Sequence, residues 1–242
     1  MRSTAKTQNG ARACTVGIVV PLLDESANLD SLIRHLASCD ADQVIIVDGG
    51  SSDGSWEALC SRRFDNRWCV IQSPRGRARQ MNAGIARCRC DVVLFVHADT
   101  RLPRDAIGAI RRAILVGGRS WGRFNVSFDS GSLAMVIVAW FMNRRSCVTG
   151  ICTGDQAIFV TRTALASVGG IPDMALMEDV ELSRRLKRLC RPCCLSLVVT
   201  TSDRRWRRDG VARTVCRMWW MRLRYWLGAR PDSLAEGYRH VR

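Results

Sequence analysis

The stretch VVLFVHADT (92–100) carries apolar, strand-like residues straight into His97, Ala98 and Asp99. An aspartate in that place either closes a strand with a polar turn or holds a cation at the open edge of a sheet. Two further acids stand in comparable positions. Glu25 follows TVGIVV (15–20) in the turn that begins at Pro21, next to Asp24, and Asp48 ends QVIIVD (43–48) ahead of the turn-rich GGSSDG. A fourth group, the adjacent acids Glu178 and Asp179, opens a helical pattern that runs to Leu189 with Leu182, Leu186 and Leu189 inward. Carboxylates arranged this way can bind a divalent cation or accept a proton from a reacting hydroxyl. At a helix start the dipole favours the charged form, which suits a base.

The elements that must position these acids alternate between strand and helix. TVGIVV reads as a first strand, followed by a helix with Leu29, Leu32, Ile33 and Leu36 at helical spacing and Asn28 as its N-cap. QVIIVD is a second strand. WCVIQS (68–73) is a third, leading into a helix through RARQMNAGIARC. VVLFVH (92–97) is a fourth, and the next helix starts near Pro103 with Ile107, Ile110 and Ile114 on one face. Strands apolar on both faces and separated by helices predict an α/β fold with a doubly wound, mostly parallel sheet. In such sheets ligands bind beyond the carboxyl ends of the strands, and three strand ends here deliver acids to one rim.

Past residue 117 the alternation loosens. GRFNVSFD (122–129) alternates like a strand, an apolar helix follows over 132–142, and then a polar loop. AIFV (157–160) and LSLVVTT (195–201) are strand-like, and a long basic helix covers about 210–227. The expected organisation is a basic disordered tail (1–13), one domain (14–228) with a nucleotide-binding half (14–117) and an acceptor-facing half (118–228), and a C-terminal tail (229–242).

Composition narrows the function classes. Of 37 basic residues 35 are arginine, and the net charge is +15. Such a charge favours anionic partners: nucleotides, phosphates, nucleic acid or lipid headgroups. The longest apolar run, LAMVIVAWFM (133–142), is about half of what a membrane-spanning helix needs. On a helical wheel of the terminal helix Val211, Val215, Met218, Trp219 and Trp226 share a face, with Arg213, Arg217 and Arg224 on another and Arg222 intruding on the apolar side. That is the layout of an interfacial helix and predicts peripheral membrane contact; a core-packing helix with a solvated back is the competing reading. No export signal is visible, so the twelve cysteines are expected to be free thiols in a cytoplasmic protein, with Cys190, Cys193 and Cys194 short of a fourth zinc ligand. There is no GxxxxGK[ST] and no GxGxxG after the first strand, which argues against a P-loop enzyme or a dinucleotide-binding domain.

IVVPLLDESANL, VIIVDGGSSDG, DVVLFVHADT and MEDVELSRRL, in this order, resemble the motifs of family-2 glycosyltransferases with the GT-A fold. SPRGRARQMNAG and TGDQAIFV are similar to the branch named for arsenosugar biosynthesis. The resemblance spans about Val16 to Gly228. It implies an inverting transfer of sugar from a nucleotide-diphosphate sugar, UDP-linked by default, to an acceptor hydroxyl, with Mn²⁺ or Mg²⁺. On the matching positions, Pro21, Glu25 and Asp48 would contact the nucleoside. Arg75, Arg77, Arg79 and Asn82 would lie along the nucleotide and diphosphate, with His97 and Ala98 beside them. Asp99 would bind the metal and Asp179 would be the general base, with Glu178 beside it. Gly154, Asp155 and Gln156 would face the acceptor, and Arg204, Arg205 and Trp206 are candidates to close over the phosphates.

Two departures from the pattern stand out. Asp24-Glu25 replaces the family's usual Asn-Glu, and His97-Ala98-Asp99 places an imidazole where its DxD motif has a first carboxylate. Mg²⁺ prefers oxygen ligands and Mn²⁺ tolerates imidazole better. The competing classes are a basic nucleic-acid-binding protein, disfavoured by acids clustered at strand ends, a sugar-nucleotide pyrophosphorylase, whose glycine-rich basic turn PLLDESAN is not, and a nucleotide-sugar binder without catalysis. No nucleic-acid partner is expected.

Overall fold

The computed structural model describes residues 14–229. The tail expected over 1–13 and nearly all of that over 229–242 lie outside the described residues.

The strands are β1 (Val16–Leu22), β2 (Gln43–Asp48), β3 (Trp68–Gln72), β4 (Val92–Phe95), β5 (Thr100–Arg101), β6 (Trp121–Phe128), β7 (Phe159–Thr161) and β8 (Cys193–Thr201). They form one sheet in the order β3-β2-β1-β4-β7-β6-β8-β5. β1 pairs in parallel with β2 and β4, β2 with β3, and β6 with β8, while β7 runs antiparallel to β4 and β6 and β5 antiparallel to β8. The sheet is therefore mixed but mostly parallel, and the domain is α/β.

The helices are α1 (Leu29–Ala37), α2 (Ser55–Cys60), α3 (Arg77–Arg87), α4 (Ala106–Leu115), α5 (Leu133–Thr149), α6 (Arg162–Ser167), α7 (Glu178–Leu186), α8 (Arg204–Asp209) and α9 (Val211–Trp226). Alternation along β1 shows how they are layered. Ile18 and Val20 join one core with Leu32 and Leu36 of α1 and Ile110 of α4, whereas Val19 joins a second core with Met81 of α3 and Leu182 and Leu186 of α7. A strand whose odd and even side chains are both buried reads as a continuous apolar run, which is why TVGIVV looks the way it does. Gly84 in α3 makes the contact with β1 possible, since a Cβ there would stand 2.3 Å from Val19 Cγ1.

Several boundaries differ from the sequence expectation, each for a local reason. α1 is entered through a 3-10 turn (Ser26–Asn28), and Asn28 does not cap it with its side chain; its Nδ2 donates to Glu25 Oε2 at 2.7 Å instead. α4 begins at Ala106, three residues past Pro103. The polar loop expected after 142 is helix as far as Thr149. Asn143 lies on the inward side and serves β6, accepting from Val126 N at 2.9 Å and donating to Val126 O at 3.0 Å. α7 ends at Leu186, and Leu189 is exposed rather than inward. In α9 the expected apolar face is split: Val211, Val215 and Met218 pack against Phe128, Met135 and Trp206, while Trp219 and Trp226 face outward.

Candidate active site

β1 leads to β2 and β3 on one side of the sheet, and β4 lies on the other side of β1. The switch in strand order falls between β1 and β4, where an open α/β sheet leaves a crevice at the carboxyl ends. A cleft of ≈ 860 Å³ opens at that place, bordered by Pro21 at the end of β1, by Glu25 after it and by His97, Ala98 and Asp99 after β4. Its volume falls in the range of small-molecule sites, about 300–1,000 Å³. Arg75, Arg77 and Arg79 reach it from the start of α3, Asp155 and Glu178 from the second half of the chain, and Arg205 and Trp206 from α8. Twelve of the sequence-predicted site residues in all border this cleft: Pro21, Glu25, Arg75, Arg77, Arg79, His97, Ala98, Asp99, Asp155, Glu178, Arg205 and Trp206.

The charges around it are mostly paired across the opening. Arg77 Nη1 lies 3.2 Å from Glu178 Oε1, tying the start of α3 to the start of α7. Arg79 Nε bonds both oxygens of Asp173 at 3.2 Å. Arg204 reaches Glu25 Oε2 at 3.4 Å. His97 Nδ1 stands 3.2 Å from Asp155 Oδ1, and its Nε2 side is covered by Gly154, where a Cβ would approach to 2.4 Å. Burial on its own would raise Asp155. The hydrogen bond from His97, with Arg77 and Arg205 nearby, outweighs it and holds the carboxyl below its ordinary range. The imidazole thus presents Nδ1 as a donor, and the replacement of a carboxylate by His97 is matched by a carboxylate, Asp155, opposite it.

Six predicted residues are not brought to the cleft lining. Arg204 reaches Glu25, a residue of the lining. Asp48 ends β2, one strand away from the switch, and is fully buried; its carboxylate accepts the Gly50 and Ser51 amides at 2.9 and 3.0 Å and shapes its own turn. Asn82 pins Ile171, donating to its carbonyl at 2.8 Å and accepting from its amide at 3.1 Å. Gln156 is buried and donates to the Ser146 hydroxyl at 3.0 Å. Gly154 donates its amide to Asp179 Oδ2 at 2.8 Å, and Asp179 Oδ1 accepts from Val180 N at 2.7 Å. Burial and the adjacent Glu178 carboxylate raise Asp179 to about 6, against the opposing pull of the Gly154 amide and Arg77. Of the acidic pair, Glu178 borders the cleft and Asp179 lies immediately behind it.

Asp173 carried no signal in the sequence, and the loop contact that Asp24 makes was not legible there. Asp173 borders the cleft from the loop before α7, which has neither periodicity nor a recognisable turn pattern. Asp24 takes a left-handed backbone (φ 51°) that Asn and Asp tolerate, and its Oδ1 accepts the Ser52 amide at 2.8 Å, locking the loop after β1 to the loop after β2.

Asp99 is the cleft carboxylate that makes no ion pair among the described residues, whereas Glu25, Asp155, Asp173 and Glu178 each make one. Only Oδ1 is engaged, by the hydroxyls of Thr100 at 3.5 Å and Thr201 at 3.4 Å. Among the described residues no group of three ligating side chains could hold a metal by itself. One carboxylate without an ion-pair partner in a cleft lined with arginine fits a divalent ion completed by phosphate oxygens and water, the usual mode for Mg²⁺ at phosphates.

A strand-switch crevice that combines an isolated carboxylate, arginines and an acidic helix start defines a GT-A-type α/β domain. Residues 17–147 match the family described as Glycosyl transferase family 2, and the chain belongs to it. Undecaprenyl-phosphate 4-deoxy-4-formamido-L-arabinose transferase of Pseudomonas syringae pv. syringae is 31% identical over 101 residues, 38% of this chain and 30% of that protein. S. aureus TarS in complex with UDP-GlcNAc superposes with a TM-score of 0.63 at 15% identity, covering 78% of this chain and 59% of that one. Mannosyltransferase PcManGT of Pyrobaculum calidifontis, in complex with GDP-Man and Mn²⁺, superposes at 0.59 with 18% identity, covering 76% and 56%. The chain spans less than half the length of the curated relatives compared.

Proposed function

We propose that this chain transfers a sugar from a nucleoside-diphosphate sugar to an acceptor hydroxyl with inversion at the anomeric carbon. The observation that carries the reading is the cleft at the strand switch where Asp99, the arginines at the start of α3 and Glu178 of the α7 acidic pair meet, with Asp179 next to Glu178 in the chain. Inversion follows from one displacement: the acceptor oxygen bonds to the anomeric carbon as the bond to the diphosphate breaks, and the hydroxyl proton passes to a carboxylate.

The residues divide that work. Arg75, Arg77, Arg79 and Arg205 face charge that grows on the departing diphosphate, where preorganised donors are most effective. Asp99 would hold a divalent ion, Mn²⁺ or Mg²⁺, which supplies further charge neutralisation at the diphosphate when bound. Asp179 is assigned as proton acceptor, because a carboxyl raised to about 6 stays ionised at neutral pH yet binds a proton readily. Glu178, held by Arg77, orients the pair and lines the cleft beside it. Asp155 is proposed on the acceptor side, with Gly154 and Gln156 as its support, and His97 and Ala98 beside the donor, His97 bonded to Asp155. Pro21 and Glu25 are proposed at the nucleoside, and Asp48 and Asn82 act there only by holding the loops that carry the contacts.

A UDP-linked donor is proposed first, in keeping with the UDP-GlcNAc complex of the TarS neighbour; the GDP-Man complex of PcManGT makes GDP the second choice. We take residues 14–228 as one transferase domain with nucleotide and acceptor halves meeting near residue 117. The arsenosugar branch is the proposed subfamily, on SPRGRARQMNAG and TGDQAIFV, and a cytoplasmic setting suits twelve free thiols. Thermal denaturation with UDP, GDP and their sugars, with and without Mn²⁺, tests the reading. A ligand at a hundred times its Kd stabilises by about 2.7 kcal/mol. No shift with any nucleoside diphosphate would remove the proposal.

A further inference from the structure

α9 packs on the domain by one side only. Thr214 and Met221 are buried, and Val211, Val215 and Met218 join the cluster around Trp206. The opposite side is neither polar nor covered: Trp219, Trp220, Leu223, Trp226 and Leu227 are each at least half exposed. Trp219, Leu223 and Trp226 are spaced i, i+4 and i+7 and so form one continuous stripe. α9 carries four arginines and no acidic residue in its 16 positions. Exposed Arg213 and Arg224 are about three turns apart and lie i−7 and i+4 from exposed Trp220, so the three share one side of the helix next to that stripe. α5, in the same cluster through Val138 and Met142, leaves Ile137, Trp140 and Phe141 exposed as well.

We infer that the outer face of α9 is a docking surface for an anionic lipid bilayer, with the helix lying in the interface plane. Tryptophan is the residue type suited to the headgroup boundary, since its indole is apolar with one polar N–H, and arginine beside it pairs with anionic headgroups. No helix among the described residues is long and apolar enough to cross a membrane, so the contact is one of lying on the surface. The chain's +15 charge adds a long-range attraction of the same sign. This inference stands apart from the transferase reading: vesicle binding needs no donor, and either can fail alone. The two sites are physically joined, because Thr214 and Met218 of α9 also border the cleft, so a docked helix brings the cleft beside the lipid.

The full-length protein is tested by co-sedimentation with phosphatidylglycerol–phosphatidylcholine vesicles and with phosphatidylcholine alone, at low and high salt. Salt-sensitive binding to the anionic vesicles is expected. Arg213→Glu with Arg224→Glu should weaken it by about tenfold or more, since each arginine near an anionic surface contributes about 1 kcal/mol. Trp219→Ser with Trp226→Ser should weaken it comparably while leaving the melting temperature and nucleotide binding unchanged, because both side chains are exposed. Absence of wild-type binding, or binding equal in either double variant, overturns the inference. So does a dimer in light scattering that the tryptophan variant dissolves, which would assign the face to a second copy of the chain.

Discussion

Gly154→Ala is the smallest change that reaches the acceptor side of the cleft. The added methyl would stand 2.4 Å from His97 Nε2 and 2.6 Å from Cε1, distances no real Cβ contact tolerates. The imidazole cannot step aside freely, as its side chain is only 15% exposed and Nδ1 is tied to Asp155. Forcing a methyl into such a contact costs about 1–3 kcal/mol. For a chain of this size that is about 2–12 °C in melting temperature, at about 2–4 °C per kcal/mol. Shifting His97 also releases Asp155, and any movement of the Gly154 amide disturbs the 2.8 Å bond that holds Asp179, so turnover should fall more than donor binding. The decisive comparison is a cycle with His97→Ala, melted by circular dichroism. With the ring gone the methyl has space, so Gly154→Ala should cost at least about 1 kcal/mol less in that background, within the range of couplings between touching residues. A wild-type melting temperature for Gly154→Ala, or the same cost in both backgrounds, would refute the close packing of His97 on Gly154.

Asp99→Asn should abolish the Mn²⁺ dependence of nucleoside diphosphate affinity in calorimetry while leaving the melting temperature of the unliganded protein unchanged. Asp48→Ala removes the acceptor of the Gly50 and Ser51 N–H groups, so it should cost about 1–3 kcal/mol of stability in urea titration; a stable variant that merely binds nucleotide weakly would restore Asp48 to direct contact. Asp179 is raised because the fold disfavours its charge, so turnover at saturating substrate should fall as pH drops through about 6. For stability the sign is opposite: its contribution favours the fold below the ordinary carboxylate range and is lost as pH rises through about 6, and the shift should vanish from the urea-stability profile of Asp179→Ala.

How far the sequence could be read depended on whether periodicity matched what was buried. β1, β2 and β4 are apolar on both faces and lie in the middle of the sheet, so their runs stand out, and the acids after β1 and β4 follow directly from the strand-switch rule. Asp48 obeys the same rule of position, yet its strand lies outside the switch. Nothing in a linear pattern distinguishes an acid that lines a crevice from one that folds back on its own turn. α5 was cut short because Asn143 and Ser146 are polar and inward, satisfied by β6 and Gln156 rather than by water. α2 and α6, six residues each, are too short to show a helical period. In α9 the wheel shows an apolar arc but not where the domain's contact ends and solvent begins, a boundary set by packing on Phe128, Met135 and Trp206 and on Met177 and Val180.

The central claim is that the cleft binds a nucleotide sugar and that the α7 acids drive its turnover. Release of nucleoside diphosphate from UDP-GlcNAc and GDP-Man with Mn²⁺, followed in wild type, Asp179→Asn and Glu178→Gln alongside calorimetry of the free diphosphate, tests it most directly. The account predicts release from at least one donor, with Asp179→Asn binding the diphosphate normally and turning over about 10²–10⁴ times more slowly. Glu178→Gln should keep more activity than Asp179→Asn. Wild-type rates in Asp179→Asn, or no diphosphate binding by the wild-type protein, would contradict it.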